Sequence, residues 1–158
     1  MTARLRAVTE ATEAELLRTV ASSLVTGSRP RSRLGAVARA GAEAAIIETG
    51  RLVADAHLSE ALGAQPGEGL IELQRRTRRR IERAFEAVLV DATRLHDRLA
   101  QRDLDPAATQ VELDRAARFR EGCRVNVQGR WWTLTTYCLT VAGSATKRAG
   151  IWGRLDRG

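Results

Sequence analysis

Apolar positions recur every three or four residues along most of the chain, a spacing that predicts amphipathic helices rather than strands. The spacing is clearest over residues 70–101, where a continuous stripe is formed by Thr77, Ile81, Ala84, Val88, Ala92, Leu95 and Leu99. We predict that this stretch is one helix. Its stripe would be the seam by which it packs against other helices that lie nearly parallel to it.

The same spacing predicts three more helices, over residues 3–25, 33–62 and 106–121. Pro30 separates the first two of them. Asp105 followed by Pro106 is the N-cap and first-turn pair with which the last should begin. A glycine-rich linker is predicted over 63–69.

Glycines interrupt the second predicted helix at positions 35, 41 and 50. Each costs roughly 1 kcal/mol relative to alanine inside a helix, so the stretch is compatible with one rod or with two shorter pieces. A helix-turn-helix across residues 16–47 is a further possibility. Residues 42–48 offer almost no side chain that could read a base edge, however, and we prefer an ordinary helical hairpin.

The pattern changes after Gly122. Residues 123–142 are rich in β-branched and aromatic types, and they flank a Gln128-Gly129 turn, which predicts a β-hairpin. Residues from Gly143 onwards show no regular pattern, and we expect them to be frayed.

The predicted fold class is therefore all-α, a helical bundle of three to five helices with a C-terminal basic tail that is β-hairpin-like or irregular. The predicted division is a helical bundle domain over 1–121 and a Trp-rich basic segment over 122–158. The composition agrees, because only 4% of the 158 residues are aromatic while 44% are apolar. A core built mainly from leucine, valine, isoleucine and alanine favours packed helices over a β-sandwich.

The chain is basic, with 26 lysines and arginines against 19 acidic residues and a formal net charge of +7. The excess is concentrated near the end, since residues 122–158 hold six basic residues and one acidic residue and so supply +5 of that charge. A charge distributed in this way raises the local concentration of anionic partners.

The best-predicted helix carries six arginines within nine positions, at 75, 76, 78, 79, 80 and 83. Because Thr77 and Ile81 should point into the bundle, the arginines should lie on the exposed face. Glu72 is spaced to pair with Arg76, and Glu82 with Arg78. Counting Glu86 as well, six arginines against three glutamates leave about three charges uncompensated. Such a face suits nucleic-acid phosphates; a solvated face or a contact with an acidic protein is equally compatible with it.

Aromatic and basic residues also come together in the C-terminal segment. The aromatic residues are Trp131, Trp132, Tyr137 and Trp152, and the basic residues that flank them are Arg124, Arg130, Lys147 and Arg148. This combination suits base stacking on a single-stranded nucleic acid, a hairpin that caps the bundle or a subunit interface, or, ranked last, a membrane surface.

Catalysis, a metal site and a cofactor find little support in the sequence. His57 and His96 each lie near an aspartate, lack the Glu-x-x-His spacing of a dimetal bundle, and are interpreted as surface residues. Cys123 and Cys138 have no partnering motif, and charged residues within the first 14 positions argue against a signal peptide. Reduced thiols and a cytoplasmic location are the default expectation.

The predicted function is thus non-enzymatic. We expect a small basic helical protein that acts as a nucleic-acid-associated accessory or regulatory factor. Its phosphate contacts would come from Arg75, Arg76, Arg79, Arg80 and Arg83, extended by Arg124, Arg130, Lys147 and Arg148. The competing hypothesis is a protein–protein assembly subunit that oligomerises, or docks on a membrane-bound partner, through the apolar seam and the Trp-rich tail.

Overall fold

A computed structural model describes the backbone of residues 2–61 and 68–157 and the side chains of residues 2–58 and 69–150. These residues form five helices and one antiparallel hairpin: α1 (Ala3–Thr26), α2 (Arg31–Ala61), α3 (Glu68–Gln101), α4 (Pro106–Phe119), β1 (Arg124–Val127), β2 (Arg130–Thr133) and α5 (Leu134–Arg157). The predicted all-α bundle with a hairpin near its C-terminal end is confirmed.

Several helix boundaries follow local signals. Helix α1 ends where Gly27 adopts a left-handed conformation with φ of +70°. Helix α2 begins directly after Pro30, two residues earlier than predicted. Asp105 caps α4 as expected, its carboxylate accepting a hydrogen bond from the Ala108 N–H at 2.7 Å. The predicted linker 63–69 lies mostly outside the described residues, and its last two positions belong to α3.

Helix α2 is one continuous rod of 31 residues, so residues 16–47 do not form a helix-turn-helix. Gly41 has a packing role in this rod. A Cβ atom there would overlap the Thr12 side chain of α1 and would lie 2.8 Å from Cε1 of the buried Phe85 in α3. The missing side chain therefore lets α1 and α3 approach α2 closely.

The four long helices α1, α2, α3 and α5 each contact the other three, and they enclose the main core. The α3 seam is confirmed, because all seven of its residues are buried and none is more than 6% exposed. Helix α4 packs mainly against α1 and buries only Ala116. Among the described residues, none of the helices combines the length and the apolar character that a bilayer crossing requires.

Helix α5 is the main difference from the sequence-based expectation. The hairpin turn is as predicted, with Gln128 and Gly129 both at positive φ (52° and 78°). Strand β2, however, ends at Thr133 and the chain continues as a helix, so the frayed end expected from residue 143 is wrong. Ala145 and Ala149 are buried in a second apolar cluster with residues of α2 and α3.

Tertiary hydrogen bonds explain why this helix begins where it does. Its first three N–H groups, at residues 134–136, donate to the Cys123 carbonyl (3.0 Å), the Glu13 carboxylate (2.9 Å) and the Thr133 hydroxyl (3.2 Å). The first N–H groups of a helix have no partner within it, so these contacts satisfy the helix start. They and the burial of one face override the strand preference of the β-branched residues.

The described residues on both sides of position 122 contribute to one core, since Leu134, Cys138 and Val141 of α5 pack with α1, α2 and α3. The predicted domain boundary between residues 121 and 122 stays a prediction.

Candidate nucleic-acid interface

Four arginines of α3 form an exposed strip. Arg76, Arg79, Arg80 and Arg83 lie three or four residues apart and therefore share one helix face. Among the described residues, no carboxylate lies within 4.0 Å of any of their side-chain nitrogens. We call these four residues the arginine strip.

The nearby glutamates neutralise arginines at the edges of the strip. Glu72 pairs with Arg75 at 3.2 Å, so the predicted pair with Arg76 is wrong, whereas the predicted pair between Glu82 and Arg78 forms at 2.9 Å. Arg75 and Arg78 both line a groove between α2 and α3 with a volume of about 350 Å³. Arg75 is therefore both ion-paired and turned away from the strip.

Two members of the strip meet α5 in a small crevice. Arg76 and Arg80 from α3 and Arg148 from α5 line a cavity of about 130 Å³, which we call the arginine crevice. The other lining residues are the buried Leu73, Thr77 and Ala145 and the exposed Ser144. Within the described residues, Arg148, like the strip, has no carboxylate within 4.0 Å.

Aromatic rings connect the crevice to the hairpin. The Arg80 guanidinium lies 5.9 Å from the centroid of the Tyr137 ring, and the Arg130 guanidinium lies 5.2 Å from that of Trp132. The Trp132 and Tyr137 rings contact each other edge to face, with centroids 6.2 Å apart. Cations over aromatic faces are attracted by the ring quadrupole, so these contacts hold Arg80 and Arg130 in place along one row.

Arg124 and Trp131 lie on the other face of the hairpin. The strand pairing places Arg124 and Trp131 on one side and Arg130 and Trp132 on the opposite side. The Arg124 guanidinium lies 4.8 Å from the Trp131 ring centroid and 3.4 Å from the Asp91 carboxylate. The charge of Arg124 is therefore already compensated, while Trp131 remains 51% exposed.

Lys147 also lies outside this arrangement, whereas Arg94, which was not predicted, lies in line with the strip. Lys147 is exposed but lies roughly 100° around α5 from Arg148, outside the crevice. Trp152 lies in the part of α5 whose side chains are not described. Arg94 is exposed and follows Arg76 by 18 residues, about five helical turns, so it continues the line of the strip. That interval is the signal that could have found it.

Two buried carboxylates position the hairpin and the start of α5. Glu13 accepts hydrogen bonds from the Thr135 N–H (2.9 Å), the Thr135 hydroxyl (2.7 Å) and the Arg120 guanidinium (2.8 Å). Asp91 accepts from the N–H groups of Gly122 (2.6 Å) and Arg124 (3.1 Å). Sequence reasoning missed both roles, because each carboxylate acts on residues distant in the chain.

The cysteines and histidines are buried side chains. Burial, reinforced by the charges of Glu13 and Asp91, raises the pKa of the Cys123 thiol, and burial with Glu13 raises the pKa of Cys138 to about 12. His57 and His96 are 1% and 8% exposed, so their interpretation as surface residues is wrong. No group of three or more His, Cys, Asp or Glu side chains in the described part of the chain is arranged to hold a metal ion.

No protein-family model, curated protein or solved structure matches the chain.

Proposed function

We propose that the protein is a nucleic-acid-associated accessory or regulatory factor that binds phosphates through the arginine strip and the arginine crevice. One observation carries this proposal. Five exposed arginines on adjacent helices α3 and α5, the strip together with Arg148, have no carboxylate partner among the described residues.

A polyanion is the class of partner that suits such a surface. The helical rise separates Arg76 from Arg80 by about 6 Å and from Arg83 by about 10 Å, so the strip can reach several phosphates of one strand. Guanidinium groups bind phosphate oxygens in a bidentate manner. Each neutralised phosphate releases condensed counterions, which makes the affinity strongly dependent on salt and largely independent of sequence.

Salt dependence is the test of this proposal. Binding of a fluorescent oligonucleotide duplex would be followed by anisotropy between about 50 and 200 mM salt. If each of the five arginines contacts its own phosphate, the expected slope of log K against log salt is about −4.5, and if the three crevice arginines share one phosphate it is about −2.7. Reversing three charges of the strip, with Arg76→Glu, Arg79→Glu and Arg80→Glu, should reduce the magnitude of that slope by about 2 to 3.

A matched control has the same change in net charge elsewhere. Arg29, Arg31 and Arg33 are exposed around the start of α2, and their triple replacement by glutamate also removes three arginines. The proposal expects this control to keep most of the original slope. Equal losses in both triple variants, or an unchanged slope in the strip variant, would refute the role of the strip.

The second candidate is the assembly subunit, which has weaker support because the apolar seam that it requires is buried within the chain. What favours it is exposed apolar surface, with Trp131 51% exposed and Val111 and Phe119 each 65% exposed. Deleting residues 122–158 would be a poor test, because it would remove α5 from the core. Light scattering should instead compare the molar mass of the wild type with those of Trp131→Ser and Phe119→Ser. The assembly hypothesis expects an oligomeric wild type and a lower mass for the variants, and a monomeric wild type would count against it.

A further inference from the structure

We infer that the arginine crevice holds a single phosphate group, which anchors the bound nucleic acid at one point. This inference rests on the proposed function in taking the phosphate from a nucleic acid. It goes further by distinguishing one defined binding site, formed by Arg76, Arg80 and Arg148, from the less localised positive charge of the strip.

The size of the crevice fits one phosphate. Its volume of about 130 Å³ is slightly smaller than that of a cavity of about 150 Å³ that accommodates benzene, so the space suits a group of the size of one tetrahedral phosphate. A nucleoside is too large for that space. The base and sugar would have to lie outside, next to the row of aromatic residues that begins at Tyr137.

The donors that line the crevice come from two helices, α3 and α5. Arg80 is held against the face of Tyr137, a residue that is 9% exposed and whose ring contacts Trp132. Side chains that are already ordered lose less entropy on binding, so this stacking favours a defined phosphate position. The Thr77 hydroxyl donates to the Leu73 carbonyl at 2.7 Å, which leaves the three guanidinium groups and the Ser144 hydroxyl as donors.

The electrostatic environment also favours an anion there. Three arginines line the crevice, whose floor includes the buried Leu73 and Ala145, and no carboxylate of the described residues lies within 4.0 Å of their side-chain nitrogens. A bound anion relieves their mutual repulsion, and the buried floor weakens solvent screening. The N-terminus of α5, which would otherwise be a natural phosphate site, is already filled by the Glu13 carboxylate.

The phosphate could come from the end of a strand or from its backbone. A terminal phosphate carries about −1.5 to −2 charges near neutral pH and a backbone diester carries one, so three arginines can accommodate either source. Two single-stranded oligonucleotides of the same sequence, one with a 5′-phosphate and one with a 5′-hydroxyl, distinguish these sources.

The decisive comparison is between Arg148→Gln and Arg79→Gln. Both variants remove one exposed arginine without a described carboxylate partner, but only Arg148 lines the crevice. We expect Arg148→Gln to weaken binding by about 10- to 100-fold, the loss of one charge-assisted contact, and Arg79→Gln to weaken it only about 2- to 3-fold. If the 5′-phosphate strengthens binding and Arg148→Gln abolishes that advantage, the site holds a terminal phosphate. If both oligonucleotides bind the wild type equally and Arg148→Gln weakens the binding of both, the site holds a backbone phosphate.

Two other outcomes separate failure of this inference from failure of the proposed function. Equal losses for Arg148→Gln and Arg79→Gln would overturn the single site, while salt-dependent binding by the strip would stand. If no oligonucleotide binds, the proposed function fails, and inorganic phosphate then tests the crevice alone through the NMR signals of the arginine Nε–H groups. Saturable shifts at Arg76, Arg80 and Arg148 but not at Arg79 would support the phosphate site; their absence would overturn it.

Discussion

Replacing Glu13 with glutamine should destabilise the fold although the two side chains have almost the same shape. Glu13 is 7% exposed, and every hydrogen bond described for its carboxylate is one that it accepts. One oxygen accepts from the Thr135 N–H and hydroxyl at 2.9 and 2.7 Å, and the other accepts from the Arg120 guanidinium at 2.8 Å. Glutamine has a single acceptor oxygen, so in either orientation its NH2 group faces a donor.

The preferred orientation sets the size of the effect. Turning the NH2 group towards Thr135 would leave buried donors facing each other, whereas turning it towards Arg120 lets that side chain, 44% exposed, reach water. The variant then loses one charge-assisted bond of about 1.5–3 kcal/mol and keeps two bonds to a neutral acceptor, each weaker by about 0.5–1 kcal/mol. We therefore expect a loss of about 3 kcal/mol in the free energy of unfolding.

Urea unfolding of the wild type, Glu13→Gln and Glu15→Gln would measure this loss. Glu15 lies two positions away on the same helix, and its exposed ion pair with Arg18 should contribute at most about 1 kcal/mol. For a chain of 158 residues, 3 kcal/mol corresponds to a decrease in Tm of about 6–12 °C. If Glu13→Gln lies within about 1 kcal/mol of Glu15→Gln, the carboxylate does not stabilise the start of α5 as we argue.

The remaining predictions concern the packing of the helices and the buried cysteines. Gly41→Ala should destabilise by about 1–3 kcal/mol, because the new Cβ would overlap Thr12 and contact Phe85 at 2.8 Å. Gly50→Ala should stabilise α2 by about 0.5–1 kcal/mol, because no atom lies within 4 Å of the added Cβ. Thermal melts would compare the two variants, and a Gly41→Ala variant that is more stable than Gly50→Ala would contradict this packing. The raised pKa of Cys138, about 12, leaves about one thiolate in ten thousand near pH 8, so a thiol reagent should label Cys138 rapidly only after unfolding. Because the unfolded thiols ionise at lower pH than the folded ones, stability should also fall as the pH rises above about 9, and a flat profile there would argue against their burial.

The elements that the sequence predicted well are those with local signals. The periodic stripe through Ile81 and Val88 determined both the extent of α3 and the face that it buries. Asp105 before a proline, and Gln128-Gly129 between strands, each determine a cap or a turn through contacts within a few residues. Helix α5 lacks such a signal, because the first-turn contact from Glu13 comes from 122 residues away.

The candidate site was predictable in its parts and not in its arrangement. The exposure of the α3 arginines follows from the register of Thr77 and Ile81. Their proximity to Arg148 depends on α5 being a helix that packs beside α3, which the threonine-rich sequence after Arg130 did not indicate. The spacing of the aromatic residues alone also could not show which tryptophan lies on the side of Arg130, since the placement of Trp131 and Trp132 on opposite hairpin faces depends on the strand register.

The distribution of charge along the sequence differs from its distribution on the surface. Residues 122–158 supply +5 of the net +7, which places most of the excess in the C-terminal segment. In the folded chain, however, Arg124 is compensated by Asp91 and Lys147 lies outside the crevice, while the four arginines of the strip all belong to α3. Helix α3 therefore provides most of the charge of the interface. The C-terminal segment contributes chiefly by position: it places Arg148 opposite Arg76 and Arg80, and it places Tyr137 under Arg80.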